Sequence, residues 1–150
     1  MPEKKDISKL PFPKDLYFHP EHTWVRREEH ELGDRYRVGL DDVFLRDVDK
    51  IVRLDFPNEG DEIAQDEICG VIRGEQKKKL LYAPLSGEIL DVNLELHQDP
   101  EIIRDDPYGV GWILLIDPAD AQDELEDLLK GDEAKRWWEK EIKIRLNNIP

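Results

Sequence analysis

The stretch that decides the fold is ICGVIRGEQKKKLLYAP, residues 68–84. It contains two short apolar runs, residues 68–72 and 80–83, separated by a wholly polar segment, residues 73–79. Short apolar runs bounded by turn residues are typical of strands, and Pro84 ends the second run. A polar segment of this length between two strands predicts a hairpin whose tip lies in water. We therefore predict an exposed hairpin over residues 73–79.

Further strand patterns lie on both sides of this hairpin. The segment RYRVGL, residues 35–40, alternates polar and apolar side chains, as a half-buried strand does. A Gly-Asp turn signal at residues 33–34 joins it to the segment that begins at Trp24, which predicts a second hairpin. Another strand is predicted at residues 17–25, interrupted by Pro20, and further strands at residues 51–56, 87–93 and 111–116. One short helix, capped by Asp41 or Asp42, is predicted at residues 41–47.

The hydrophobic period changes near the C-terminus. Leu125, Leu128 and Leu129 have the i, i+3, i+4 spacing of an amphipathic helix, which Gly131 is expected to close. A second helix is predicted over residues 134–146. Many short strands followed by helices predict a mainly β fold, either a β-sandwich or a flattened barrel, with C-terminal helices.

The length of 150 residues fits one domain with tails. We predict an extended N-terminal arm over residues 1–16, a β domain over residues 17–118 and the C-terminal helices over residues 119–150. Trp137 and Trp138 in these helices are expected to pack on the sheet, with a dimer contact as the alternative. The sequence leaves the oligomeric state open.

The charge of the chain limits its partners. It carries 22 basic and 36 acidic residues, a net charge of −14. Such a surface repels the phosphates of nucleic acid, so nucleic acid is not an expected partner. The acidic surface either suits docking onto basic patches of other proteins or only provides solubility. No apolar run is long enough to span a membrane, and no apolar segment follows the N-terminus as in a secretory signal. We therefore expect a cytoplasmic protein with no membrane partner.

No set of residues in the sequence points to catalysis or to a metal site. Pro20 breaks any helix that would place His19 and His22 on one face, so both are expected to be surface or strand-end histidines. Cys69 stands alone in an apolar stretch and is expected to be a buried structural thiol. Ser86 lies in a turn, where its hydroxyl is expected to bond the backbone. No active site is predicted from these residues, so we do not expect an enzyme.

Several long motifs resemble the H protein family of the glycine cleavage system. The resemblance covers about residues 17–129, and its most specific part is DPEIIRDDPYGVGW, residues 99–112. The other matching stretches are YFHPEHTWV (residues 17–25), LDFPNEGDE (residues 54–62) and LYAPLSGEI (residues 81–89).

The resemblance implies a lipoyl-type fold of two small antiparallel sheets and a lipoyl group on a lysine of the hairpin. In the family this arm carries an aminomethyl group between glycine decarboxylase, an aminomethyltransferase and dihydrolipoyl dehydrogenase. The protein itself catalyses nothing, because the cofactor supplies the reactive chemistry.

The sequence departs from the family at the lysine itself. The family pattern is Glu-Ser-Val-Lys-Ala, with the lysine six residues before the tyrosine of Tyr-x-Pro. Counting back from Tyr82 gives Gln76, and Arg73 replaces the acidic residue. A glutamine amide is not a usable nucleophile, so Gln76 cannot be lipoylated. Lys77 is one residue late; in a strand this slip would turn the side chain to the other face, but a turn tip can tolerate it. Upstream, the Leu-Gly-Asp of the family is replaced by VDK at residues 48–50.

These observations leave three hypotheses open. The first is an H-protein-like carrier that a lipoate ligase modifies on Lys77. The second is an H-like protein without lipoate that acts as a binding or regulatory module, which Gln76 and Arg73 favour. The third is a lipoyl carrier that serves a different pathway with other partners.

Overall fold

The computed structural model describes residues 7–147, and the structural statements below concern this part of the chain. Its strands are β1 (Tyr17–Phe18), β2 (Thr23–Glu28), β3 (Arg35–Leu40), β4 (Ile51–Asp55), β5 (Glu62–Ile63), β6 (Ile68–Gly74), β7 (Lys78–Tyr82), β8 (Gly87–Val92) and β9 (Leu114–Pro118). Its helices are α1 (Asp42–Leu45), α2 (Glu95–Gln98), α3 (Ile102–Asp105), α4 (Ala121–Glu126) and α5 (Gly131–Asn147).

The strands form two sheets in which every neighbouring pair is antiparallel. The larger sheet has the order β1-β2-β3-β9-β8-β5, and the smaller one has the order β4-β6-β7. Buried side chains from both sheets, including Val38, Leu54, Ile72 and Ile116, belong to one continuous hydrophobic core. The prediction of a mainly β fold with two antiparallel sheets and C-terminal helices is confirmed.

Several element boundaries differ from those predicted. Residues 17–25 form two strands, β1 and β2, because the chain reverses between them and His22 adopts a positive φ of 77°. The last strand begins at Leu114. The helix predicted from three leucines ends at Glu126, and Leu129 instead forms a β-bridge with Phe18. Two short helices, α2 and α3, and the short strand β5 were not predicted.

Helix α5 and the segment before β1 form a second hydrophobic cluster on the larger sheet. Gly131 begins α5, with a φ of +64°, and does not close the preceding helix as we expected. Trp138 is buried, with its ring 5.9 Å from that of Phe18 on β1. Leu10 and Leu16 are also buried in this cluster. The Trp137 ring lies 5.5 Å from that of Phe18, so the expected packing on the sheet is observed for both tryptophans.

The predicted division of the chain stays a prediction. Of the arm predicted over residues 1–16, the described part contains one 3-10 turn, Ile7–Lys9. Residues 1–6 and 148–150, at the ends of the predicted arm and helices, lie outside the described residues. Between residues 7 and 147, no helix is both long and apolar enough to cross a membrane.

Candidate functional site at the hairpin tip

Strands β6 and β7 form the predicted hairpin. Arg73 pairs with Lys78 across the two strands, and the Gly74 N–H donates to the Lys77 carbonyl at 2.7 Å. These pairs leave Glu75 and Gln76 at the apex of the turn, with Lys77 directly after it. All four side chains from Glu75 to Lys78 are exposed. Gln76, which occupies the position of the lysine in the family pattern, therefore lies at the apex. Lys77 occupies the next position.

The loop between α1 and β4 anchors the turn through hydrogen bonds. The Gln76 N–H donates to Asp49 Oδ2 at 3.0 Å, and the Glu75 N–H donates to the Lys50 carbonyl at 3.0 Å. The guanidinium of Arg104 fixes this loop by donating to three backbone carbonyls, including those of Val48 at 2.7 Å and Asp49. The sequence comparison showed that residues 48–50 differ from the family pattern. It gave no sign that the Asp49 carboxylate accepts a hydrogen bond from the hairpin tip.

Gly74 is required where the hairpin meets this loop. A Cβ atom added at Gly74 would collide with Asp49 Oδ1 and come within 2.9 Å of Val48 Cγ1. The collision involves an atom of the carboxylate that accepts the Gln76 N–H. A side chain at position 74 therefore displaces the support of the tip.

Gly74→Ala is expected to lower the free energy of unfolding by about 1–3 kcal/mol, the usual cost of inserting a methyl group into a packed site. It is also expected to shift the NMR resonances of the Gln76 and Lys77 amides, because Asp49 must move away. Glu75→Ala, in the same turn but exposed, is the matched control and should leave the free energy of unfolding unchanged. Unchanged Gln76 and Lys77 resonances in Gly74→Ala would contradict the role assigned to Asp49.

The three consecutive lysines have different surroundings. Lys79 forms an ion pair with Asp47 at 2.7 Å, and its ammonium lies 5.0 Å from the centre of the Phe44 ring. Lys77 and Lys78 are exposed and form no ion pair with any described residue. Two amines at the tip are therefore accessible, whereas the third is engaged with the domain.

Asp47 connects the base of the hairpin to α5. Besides Lys79, it binds Arg145 through two hydrogen bonds, of 2.9 and 2.6 Å. Burial alone would raise the pKa of Asp47, but the hydrogen bonds from Arg145 and Lys79 outweigh it and hold the pKa of this carboxyl below its usual value. The Arg145 guanidinium also approaches Glu141 on the same helix, at 3.8 Å.

His19 and His22 lie at strand ends, directly after β1 and directly before β2, as one of the two expectations had it, but they are buried and not at the surface. The ring nitrogens of His22 lie 2.7 Å from Asp41 Oδ2 and 2.7 Å from Glu141 Oε1. His19 Nε2 lies 2.7 Å from Asp66 Oδ1. The reversal between β1 and β2 turns both rings inward. Carboxylates contact both nitrogens of His22, whereas the second nitrogen of His19, Nδ1, accepts a hydrogen bond from the Glu21 N–H at 3.0 Å. No group of three His, Cys, Asp or Glu side chains among residues 7–147 could hold a metal ion.

The other candidate reactive groups serve the fold. Cys69 is buried, as expected, and burial raises the pKa of its thiol to about 12. The Ser86 hydroxyl accepts a hydrogen bond from the Gln65 N–H at 2.9 Å, in keeping with the predicted backbone contact. It also donates to Glu124 Oε2 at 2.6 Å, a partner that we did not predict. A nucleophile requires an adjacent base that is itself oriented, and no described histidine hydrogen-bonds to either group.

Comparisons with known proteins identify the family of the chain. A family model described as "Glycine cleavage H-protein" matches residues 16–141. A glycine cleavage system H protein of Halalkalibacterium halodurans is 36% identical over 123 residues, which are 82% of this chain and 92% of that protein. One from Carboxydothermus hydrogenoformans is 32% identical over 129 residues, covering 86% and 95% of the two chains.

A solved structure supports the same assignment. The crystal structure of a glycine cleavage system H protein from Mycobacterium marinum superposes with a TM-score of 0.66 and 29% identity. The superposition covers 72% of this chain and 87% of that one. Because the family model and these relatives each match most of the chain, the chain belongs to the glycine cleavage H-protein family.

Proposed function

We propose that this chain is an H-type carrier that presents the β6–β7 hairpin tip to partner enzymes, and that Lys77 is the attachment point of a lipoyl arm. The observation that supports this most is the accessible amine of Lys77 beside the apex of an anchored turn. An attachment lysine must be reached by a modifying enzyme, and the arm must then move clear of the domain. Lys77 meets both needs, and Lys79 meets neither because Asp47 holds it.

The residues of the tip fit the chemistry of attachment. In its neutral form the Lys77 amine attacks the acyl carbon of lipoate that a lipoate ligase has activated as an adenylate. The amide C–N bond forms, the acyl–phosphate bond to AMP breaks, and the nitrogen loses one proton. Once bound, the group supplies a dithiolane that can accept and deliver an aminomethyl group. The domain itself holds the tip and contributes no catalytic group.

The partners implied by this function are glycine decarboxylase, an aminomethyltransferase and dihydrolipoyl dehydrogenase. Each of them must reach the same tip in turn, which requires that the tip stay exposed and in one place. The hydrogen bonds from the turn to Asp49 and Lys50 keep the tip in one place. We expect these encounters in the cytoplasm.

A second candidate function is a binding or regulatory module without lipoate. The observation that favours it is Gln76, which occupies the apex in the family register with its backbone fixed by Asp49. A glutamine amide cannot be acylated by a ligase, so a partner that recognises this apex would find a neutral hydrogen-bonding group. A lipoyl carrier for a different pathway is the remaining alternative.

Intact mass after co-expression with a lipoate ligase tests the proposal. The wild-type chain is expected to gain the mass of one lipoyl group, and Lys77→Ala is expected to lose this gain. Lys78→Ala, which removes the neighbouring exposed amine, is the matched control and should retain it. Gln76→Lys restores an amine in the family register and is the positive control for a competent ligase.

The opposite result is equally clear. If Gln76→Lys gains the lipoyl mass and the wild type does not, the attachment at Lys77 is wrong and the second candidate is supported. If the wild type is modified, glycine oxidation with the three partner enzymes tests the pathway. A modified chain that fails to support this oxidation points to the alternative carrier role.

A further inference from the structure

The outer face of the smaller sheet carries an unusual row of positive charges. Arg53 on β4 pairs with Arg73 on β6, and Arg73 pairs with Lys78 on β7. Neighbouring strands are about 4.8 Å apart, so these three cations, here called the basic row, stand side by side across the whole sheet. The register of the strands, and not chance exposure, places them together.

The basic row is poorly neutralised within the chain. Asp55 contacts both arginines, at 2.6 Å from Arg53 and 3.2 Å from Arg73. Lys78 forms no ion pair with any described residue, so one carboxylate serves the two arginines and the lysine is left without a described counter-ion. Like charges placed opposite one another in a sheet are destabilising. The repulsion within the basic row thus lowers the stability of the free protein, and an acidic partner would offset this repulsion.

An apolar strip continues the same face away from the tip. Val71 pairs with Leu80, each two residues along its strand from the basic row, so both lie on the same face of the sheet. Ile68 and Tyr82 pair beyond them, and Ile68 is 56% exposed. Apolar surface beside charged residues is typical of protein–protein interfaces.

We propose that this face, the basic row with its apolar strip, is a docking surface for a protein partner that presents acidic side chains around an apolar patch. The net charge of −14 carried by the whole chain argues against the other occupants. Nucleic acid is repelled by the acidic remainder of the surface, and a second copy of the chain is repelled by the same charge. A local acidic patch on another protein is complementary in charge to the basic row, and this local attraction steers the patch toward the face.

This inference rests on the proposed function only in that the face lies beside the tip that partners must reach. It does not require a lipoyl arm, and it does not include Lys77. The docking test therefore uses the unmodified full-length protein, and a failure of lipoylation leaves its outcome unaffected.

The test is an NMR titration with a peptide of alternating glutamate and leucine, compared with a peptide in which every glutamate is glutamine. The glutamate peptide is expected to shift the amides of β4, β6 and β7 selectively. Arg73→Glu combined with Lys78→Glu is expected to weaken its binding about tenfold or more, as for reversed interface charges. The matched control reverses two exposed lysines of α5, Lys135→Glu with Lys140→Glu, and should change the affinity less than about twofold.

Some results would overturn the proposal. These are equal binding of the glutamine peptide, equal weakening by the control variant, and the absence of shifts on this face. Tighter binding of a duplex DNA of matched charge, or a dimer that the Arg73 and Lys78 reversal abolishes, would assign the face to another occupant. A neutralised variant, Arg73→Gln with Lys78→Gln, provides the same comparison if the reversed one does not fold.

Discussion

His22→Ala is expected to lower the free energy of unfolding by about 3–5 kcal/mol, the usual cost of removing one partner from a buried ion pair. Asp41 is fully buried, and its carboxylate depends on the His22 ring and on the Phe44 N–H, at 2.8 Å. Without the imidazole, Asp41 keeps its burial but loses its charged partner. The variant also releases Glu141 and Trp137, two residues of α5 that contact the His22 ring.

Urea denaturation measures this loss, with His30→Ala as the matched control. The His30 side chain is 41% exposed and is expected to contribute little. A loss below about 1 kcal/mol in His22→Ala would show that the pair is not a structural centre of the domain.

The stability of the wild type should also depend on pH through His22. Burial alone lowers the pKa of His22, but hydrogen bonds and charge from Asp41 and Glu141 outweigh it, so the pKa of His22 is raised above 6.5. The stability from this histidine is therefore fully present below pH 6.5 and declines as the pH rises through the raised value. Burial also raises the pKa of Asp41, which acts in the same direction. The same slope in His22→Ala would contradict this assignment.

Trp138→Ala is expected to cost about 3–5 kcal/mol, as for other large aromatic side chains removed from a core. Trp138 is 2% exposed and contacts the rings of Phe12 and Phe18, at centroid distances of 5.7 and 5.9 Å. Its removal opens the cluster that joins α5 and the segment before β1 to the larger sheet. Thermal and urea unfolding measure the effect.

The control for this prediction is Ile144→Ala on the same helix, where the side chain is 45% exposed. It should change stability by less than about 1 kcal/mol. Trp138→Phe is expected to retain most of the stability, because the indole N–H of Trp138 has no hydrogen-bond partner among the described residues. If Trp138→Ala and Ile144→Ala cost the same, α5 is not an integral part of the core.

The hairpin could be predicted from sequence because its evidence is local. Apolar runs on both sides of residues 73–79 identify the strands, and polarity alone identifies the tip. The count back from Tyr82 placed Gln76, and the structure puts it at the apex. These inferences need only neighbouring residues and a fixed spacing.

The support of the tip and the buried histidine could not be predicted because their partners are distant in sequence. Asp49 meets Gln76 across 27 positions, and Glu141 meets His22 across 119. The positive φ of His22, which turns its ring inward, leaves no mark in the pattern of polar and apolar residues. Helices α2 and α3 have four residues each, too few to show a helical period.

The burial of Cys69 has a consequence for redox chemistry at the tip. A disulfide is attacked by a thiolate, and with a pKa of about 12 the thiol of Cys69 stays protonated at neutral pH. It is also the only cysteine of the chain. A disulfide brought to the hairpin, on an arm at Lys77 or by a partner, therefore meets no competing sulfur nucleophile in this protein. The domain can hold an exchangeable disulfide without reacting with it.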